Sequence, residues 1–292
     1  MKKIPDIFKE KAQTLSFEFF PPKTEQGFTN LKETVKELAE LKPDFISCTY
    51  GAGGGNRDKT LDIAQMIQDQ HHIPALAHLT CVLNTREQIR QIVEDIKKRG
   101  ICNILALRGD PPQDQPNWEP GPENFYFAKD LCYFIRDNWD EYFGIGVAGF
   151  PEGHPRCPDL DLDASYLKRK ILAGADFVIT QLFLDNQDYF AYLKRLKSVR
   201  TTARVLPGIL PITNYESLIK FCAKDKIRVP EKVKNIFEPI KNNAEATLKA
   251  GIQFAVEQCQ ELLNQGAPGI HLYTLNKVHP AKEIVEQLKF TS

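Results

Sequence analysis

The fold this sequence predicts is a single eight-stranded parallel barrel of the (β/α)8, or TIM-barrel, type. Short apolar runs alternate with longer amphipathic stretches from one end to the other, as βα units around a parallel sheet require. There are eight such runs, and no linker interrupts them. The length, 292 residues, suits one α/β barrel, a fold that routinely occupies roughly 250 residues. An open doubly wound sheet is the alternative, but no GxGxxG follows the first strand.

The strands are expected at Leu15–Phe20, Asp44–Thr49, Ala75–Cys81, Asn103–Leu107, Gly144–Phe150, Phe177–Leu182, Val205–Leu210 and Gly269–Tyr273. Helical patterns fill the intervals at Gly27–Leu41, Lys59–Asp69, Thr85–Lys98, Phe127–Asn138, Ala164–Ala173, Gln187–Val199, Tyr215–Ala223 and Ala244–Gln265, with a closing helix at Pro280–Leu288. Thr85 with Gln88 makes a capping box, and Gly100 after Lys97, Lys98 and Arg99 is a C-terminal stop. Apolar residues at Ile252, Ala255, Val256, Cys259, Leu262 and Leu263 follow a helical period. The Pro-, Gly- and Asn-rich stretch Pro111–Asn124 reads as a long loop after strand four.

Composition narrows the function classes. The 38 Lys and Arg balance 38 Asp and Glu, so no basic excess points to nucleic acid or an anionic membrane. No apolar run approaches the roughly 20 residues of a membrane span, and the start MKKIPDIFKEKAQ lacks the apolar core of a signal peptide. A soluble, cytoplasmic protein is expected. The seven cysteines are odd in number and form no CxxC or other metal-ligand spacing, so they read as reduced core residues, and neither disulfides nor a metal is expected.

In a barrel the chemistry gathers at the C-terminal ends of the strands. Strand one carries Glu18 within SFEFF, where lost hydration should raise its pKa toward that of a general acid; a buried structural ion pair is the alternative. Strand two ends at Thr49 and Tyr50 and runs into GAGGG, a turn that either lets backbone N–H groups approach a phosphate or flat ring or is a bare loop. Strand three delivers His78, a residue type more often a satisfied core histidine than a catalyst. Strand four delivers Arg108, Gly109 and Asp110: a fork for phosphate and an acceptor for an amino-bearing heterocycle, or a simple ion pair in a turn. Strand five ends in FPEGHP, followed by Asp163, Tyr166, Arg169 and Lys170 on the next helix; the pairs Asp163/Tyr166 and Tyr166/Lys170 share a face. Strand six ends at Gln181, whose amide both donates and accepts, and strand eight leads into YTLNK.

Taken together, SFEFFPP, TYGAGGG, HLTC, LRGDPP, FPEGHP, LKRK with AGADFVITQ, PGILP and LYTLNK resemble the methylenetetrahydrofolate reductase family, in order, from about residue 15 to about residue 280. The resemblance implies a barrel flavoenzyme with non-covalent FAD, reduced by NADH or NADPH, that reduces 5,10-methylenetetrahydrofolate to 5-methyltetrahydrofolate. It makes Glu18 the general acid that protonates the leaving folate nitrogen, and Asp110 a contact to the pterin beside the flavin. Matched flavin positions are Tyr50, Ala52, His78, Arg108, Gly109, Asp110, Ala128, Phe150, His154, Asp163, Tyr166, Arg169 and Lys170, with Thr49 facing the nicotinamide. Gln181 matches a contact shared by folate and nicotinamide, and Tyr215 and Lys277 match folate positions.

Four residues depart from the bacterial pattern. Phe150 stands where tyrosine is common, Tyr166 for asparagine, Tyr215 for phenylalanine and Lys277 for arginine. Phe150 thereby lacks a hydroxyl, and Lys277 lacks the planar fork. The resemblance also implies a homo-oligomer. About fifteen residues follow LYTLNK, so residues 1–292 are expected to be one catalytic barrel without a regulatory domain. Two alternatives remain: a flavin-free pterin-binding barrel transferase, which would purify colourless, and a non-catalytic barrel subunit.

Overall fold

The computed structural model describes residues 1–50, 57–111, 115 and 117–291. Among these, parallel strands run β1 (Thr14–Phe19), β2 (Phe45–Cys48), β3 (Ala75–Thr80), β4 (Asn103–Leu107), β5 (Gly144–Gly149), β6 (Phe177–Thr180), β7 (Arg204–Leu206), β8 (Gly208–Ile209) and β9 (Gly269–Tyr273). Their order is β7-β6-β5-β4-β3-β2-β1-β9-β8. β7 and β8 are one barrel strand interrupted at Pro207. Its first half pairs with β6 and its second with β9, and the Pro207 carbonyl accepts the His271 N–H at 3.0 Å. The wall therefore closes as the expected eight-stranded (β/α)8 barrel.

Helices α1 (Ile4–Glu10), α2 (Glu25–Ala39), α3 (Arg57–His71), α4 (Arg86–Lys98), α5 (Ala128–Trp139), α6 (Leu160–Leu172), α7 (Asn186–Ser198), α8 (Tyr215–Asp225), α9 (Glu231–Phe237), α10 (Ala244–Asn264) and α11 (Val278–Gln287) complete the chain. α4 has the predicted capping box: Thr85 Oγ1 accepts from Gln88 N at 3.2 Å and Gln88 Oε1 from Thr85 N at 2.7 Å. α6 begins four residues earlier than its apolar pattern indicates, because Asp159 caps it through Asp161 N and Leu162 N.

The strand period of two sorts the side chains. Phe17, Phe19, Ile46, Cys48, Ala77, Leu79, Ile104 and Val147 face outward and pack under the helices. Phe45, Leu76, Leu105, Phe177, Ile179 and Leu206 face inward and fill the lower barrel. α1 seals that end from below. Ile4 and Phe8 join the inner cluster, Phe8 meets Phe177 edge-on at 5.5 Å, and Ile4 N donates to Asn103 Oδ1 at 2.8 Å. A satellite cluster around Leu182, Tyr215, Phe237 and Phe254 packs α8, α9 and α10 together beside the mouth. The lower barrel is thus apolar and plugged, and the polar inward-facing residues lie toward the other end. All seven cysteines are buried and unpaired.

Candidate active site

Because Phe17 and Phe19 point outward, Ser16 and Glu18 point into the barrel. The same parity brings Ser47 from β2, His78 from β3 and His271 from β9 to meet Glu18. Every contact falls on one carboxylate oxygen. Ser47 Oγ donates to Oε2 at 3.2 Å, His271 Nε2 lies 3.5 Å away and His78 Nε2 3.4 Å away. His271 is held in turn by Ser16 Oγ, 2.8 Å from its Nδ1, and by the stacked ring of Phe45. Oε1 makes no hydrogen bond among the described residues, so the anchored oxygen faces the barrel's polar network and the other is left for a ligand.

This arrangement reverses one expectation. Burial does push the Glu18 carboxyl up, but the His271 hydrogen bond, the charges of His78 and His271 and the Ser47 hydroxyl outweigh it, leaving the carboxyl below its ordinary range. His78 moves in the complementary direction. Desolvation drives its imidazole down to about 4, against the pull of Glu18. Its Nε2 approaches Glu18 without hydrogen-bond geometry and is a buried ring nitrogen with no partner.

A second group of predicted residues lies around the ends of β4 and β5. The Arg108 guanidinium makes no hydrogen bond or ion pair among the described residues, so the Arg108–Asp110 pair considered above does not form. Gly109 has φ +79°, and a Cβ there would come within 2.9 Å of Thr80 Cβ, so the chain passes close to β3 only as glycine. Asp110 is exposed at the mouth. Phe150 and His154 meet edge-on at 4.6 Å, and the Lys170 ammonium donates to Ala148 O at 2.9 Å beneath them. Asp163 is buried; burial raises its carboxyl, while Lys170 and the nearby His154 backbone oppose the rise. Burial lowers His154, and the positive charges of Lys170, Arg156 and Arg108 lower it further. Arg169 lies over the exposed ring of Tyr166 at 5.3 Å. Ala128 opens α5 and is buried.

Thr49 accepts from Thr60 Oγ1 through its carbonyl at 2.9 Å, and Tyr50 is buried beside it. Ala52 lies outside the described residues. Gln181, at the end of β6, gives an N–H to Asp225 Oδ2 at 3.2 Å and accepts Leu182 N at 2.8 Å. Lys277 is exposed just before α11. Tyr215 is 4% exposed; its ring stacks on Phe237 and its hydroxyl donates to Glu238 Oε2 at 3.3 Å.

Sequence reasoning missed Ser16, Ser47, His271 and Asp225. The first three share inward parity with Glu18, Thr49 and Tyr273, a signal available from strand alternation alone. Asp225 reaches Gln181 across the fold from the end of a helix, and no local pattern announces it.

The methylenetetrahydrofolate reductase family model matches residues 3–289. The chain belongs to the methylenetetrahydrofolate reductase family. Among its relatives, methylenetetrahydrofolate reductase (NADH) 1 of Arabidopsis thaliana is 40% identical over 283 residues, covering 94% of this chain and 48% of that protein. The 5,10-methylenetetrahydrofolate reductase of Pectobacterium carotovorum is 37% identical over 274 residues, covering 94% of this chain and 89% of that protein. The chain thus spans about half the length of its plant family members. A solved structure of a Clostridium thermocellum protein, described as binding two copies of 5-methyl-5,6,7,8-tetrahydrofolic acid, matches with a TM-score of 0.65 at 14% identity, over 97% of this chain and 96% of that one. At that identity the likeness speaks for the barrel alone. No helix among the described residues is long and apolar enough to cross a membrane.

Proposed function

We propose that this chain, like its family, reduces 5,10-methylenetetrahydrofolate to 5-methyltetrahydrofolate with NADH or NADPH as donor and FAD as carrier, working as a cytoplasmic homo-oligomer. The observation that carries the reading is Glu18, a carboxylate anchored through Oε2 by Ser47 and His271 with Oε1 unengaged at the mouth of a barrel. Two features of the chain suit FAD. The unpartnered, buried His78 Nε2 fits a hydrogen-bonding ring edge, and the positive field of Arg108, Arg156 and Lys170 around His154 fits a diphosphate. Arg108, Gly109, His154, Asp163, Arg169 and Lys170 would hold the dinucleotide, with Asp163 accepting from a hydroxyl and the cations meeting phosphate. When bound, the flavin supplies a two-electron carrier that takes and returns hydride.

The residues of the chain do the rest. Glu18 moves a proton through Oε1 to the imidazolidine nitrogen that leaves when the folate ring opens. The carboxyl is ionised in the free chain, and folate covering the mouth removes its remaining hydration, which shifts it toward the protonated form. Asp110, exposed beside Gly109, contributes a negative charge that favours the cationic iminium so formed. Gln181 offers its amide to folate and nicotinamide in turn, and Lys277, exposed before α11, meets the glutamate tail with its charge.

The test is anaerobic stopped-flow on the purified, FAD-loaded protein. NADH or NADPH should bleach the flavin absorbance, and methylenetetrahydrofolate should restore it. A protein that binds no flavin, or a reduced flavin that methylenetetrahydrofolate does not reoxidise, would overturn the reading.

A further inference from the structure

We propose that Asp225, at the C-terminal end of α8, is a positioning residue that fixes which way round the Gln181 amide meets its ligands. This deepens the function proposed above and rests on it. A glutamine amide carries two N–H donors and a carbonyl with two lone pairs, and in isolation either end can face either way. Here each end has a partner that accepts only one answer. The Leu182 backbone N–H can only donate, and it points at Oε1 from 2.8 Å. The Asp225 carboxylate can only accept, and its Oδ2 takes an N–H from Nε2 at 3.2 Å. Turning the amide over would set N–H against N–H and oxygen against carboxylate. One N–H and one lone pair are left for a ligand, in a fixed order along the amide edge.

The residues that follow Asp225 anchor the turn on which it stands. The chain turns left-handed at Lys226, with φ 56°, immediately after it. The Lys226 ammonium then donates to Pro155 O at 3.1 Å, and Arg228 N to Glu152 Oε2 at 2.7 Å. Arg228 also pairs with Asp185 and Asp188 at 3.1 and 2.7 Å. These contacts tie the turn after α8 to the FPEGHP loop and to the start of α7, which follows Gln181. Burial raises the Asp225 carboxyl, and the charge of Asp110 adds to the rise while Lys224 opposes it. Leu182 alone would leave the Nε2 end unsupported. Asp225 supplies the second constraint, and a single ligand-facing pattern follows.

The test compares Asp225→Ala and Asp225→Asn with the unaltered FAD-loaded protein. 5-Methyltetrahydrofolate binding is read by equilibrium dialysis, and KM and kcat with methylenetetrahydrofolate and NAD(P)H. Asp225→Ala should weaken folate binding and raise both KM values about tenfold to a hundredfold, the scale of one hydrogen bond to a charged group. Flavin content and spectrum should not change. Asp225→Asn, whose side-chain oxygen can still accept from Nε2, should recover most of the loss. Binding and KM unchanged in Asp225→Ala, Asp225→Asn as impaired as the alanine variant, or lost flavin in either would overturn the inference. If the unaltered protein binds folate without reducing it, the proposed function fails, while the Asp225→Ala binding arm still decides the role of Asp225.

Discussion

Replacing Glu18 by Gln is the sharpest perturbation of the site, because the structure separates what the side chain holds from what it transfers. An amide with its oxygen in place of Oε2 keeps the Ser47 donor at 3.2 Å and the His271 ring at 3.5 Å. The barrel and the flavin pocket should therefore stand. What disappears is the capacity to release a proton at Oε1. Flavin reduction by NAD(P)H has no leaving nitrogen to protonate, and its rate constant should stay within about threefold of the unaltered protein. Folate reduction needs the acid, and losing one costs about 10²–10⁴-fold, equivalent to roughly 2.7–5.5 kcal/mol of barrel-mouth catalysis. Stopped-flow absorbance resolves the two halves, bleaching reporting the first and recovery the second. The pH profile adds a second reading. The hydrogen bonds of His271 and Ser47 hold the carboxyl down against its burial, so its protonated form thins as pH rises, and the folate half should slow with increasing pH. The glutamine variant should lose that dependence. Equal losses in both halves would make Glu18 a structural residue, and no loss in either would place the acid elsewhere.

Four further outcomes are expected. His271→Asn should shift the falling limb of the folate half-reaction to higher pH, since it removes both a hydrogen bond and a charge that hold Glu18 down; an unmoved profile would exclude that coupling. Asp110→Asn should retain FAD and slow folate reduction about tenfold to a hundredfold, the scale of a charged hydrogen bond of roughly 1–3 kcal/mol, as checked by single-turnover kinetics. Asn103→Ala should lower the melting temperature, because it strands the buried Ile4 N–H and removes the Asn103 bond to Ala75 O, at about 1–3 kcal/mol for each unmet buried group. His78 sits near 4 when folded against an ordinary 6.5, so the unfolded chain binds the extra proton. Stability from His78 is full above about 6.5 and is lost as pH falls toward 4, worth about 3 kcal/mol in all. Melting curves across that range should be less pH-dependent for His78→Asn.

Much of this architecture was legible because barrels repeat one pattern. Asn103–Leu107 and Gly269–Tyr273 fall where the apolar runs place them, and Thr85 and Gln88 cap α4 as their spacing requires. α1 and α9 escaped. Each has seven residues and no side-chain cap, too short to declare itself, and α1 is held by Ile4, Ile7 and Phe8 against the barrel floor. The site was legible one residue per strand, as motifs, but its electrostatics were not. Glu18 is desolvated, as its aromatic neighbours in sequence imply, but its neighbours in space are Ser47, His78 and His271, from three other strands, and they lower its carboxyl against that burial. Tyr215 matches a folate position by motif, and its packing on Phe237 was not legible from that match. The inward parity that His271 shares with Tyr273 on β9 marks it in the sequence; nothing local marks Asp225.

The break at Pro207 has a bearing on how the barrel avoids other chains. A closed sheet offers no free edge, which is the usual protection against strand-to-strand aggregation. Here the wall passes from one neighbour to the other halfway along a single strand, and the residue at the handover has no N–H to offer a stranger. Below it, the Arg204 guanidinium donates to Lys11 O and Ala12 O and lies 5.4 Å over Phe8. That seam is thus stitched from beneath by a segment that precedes β7 and β8 in the chain.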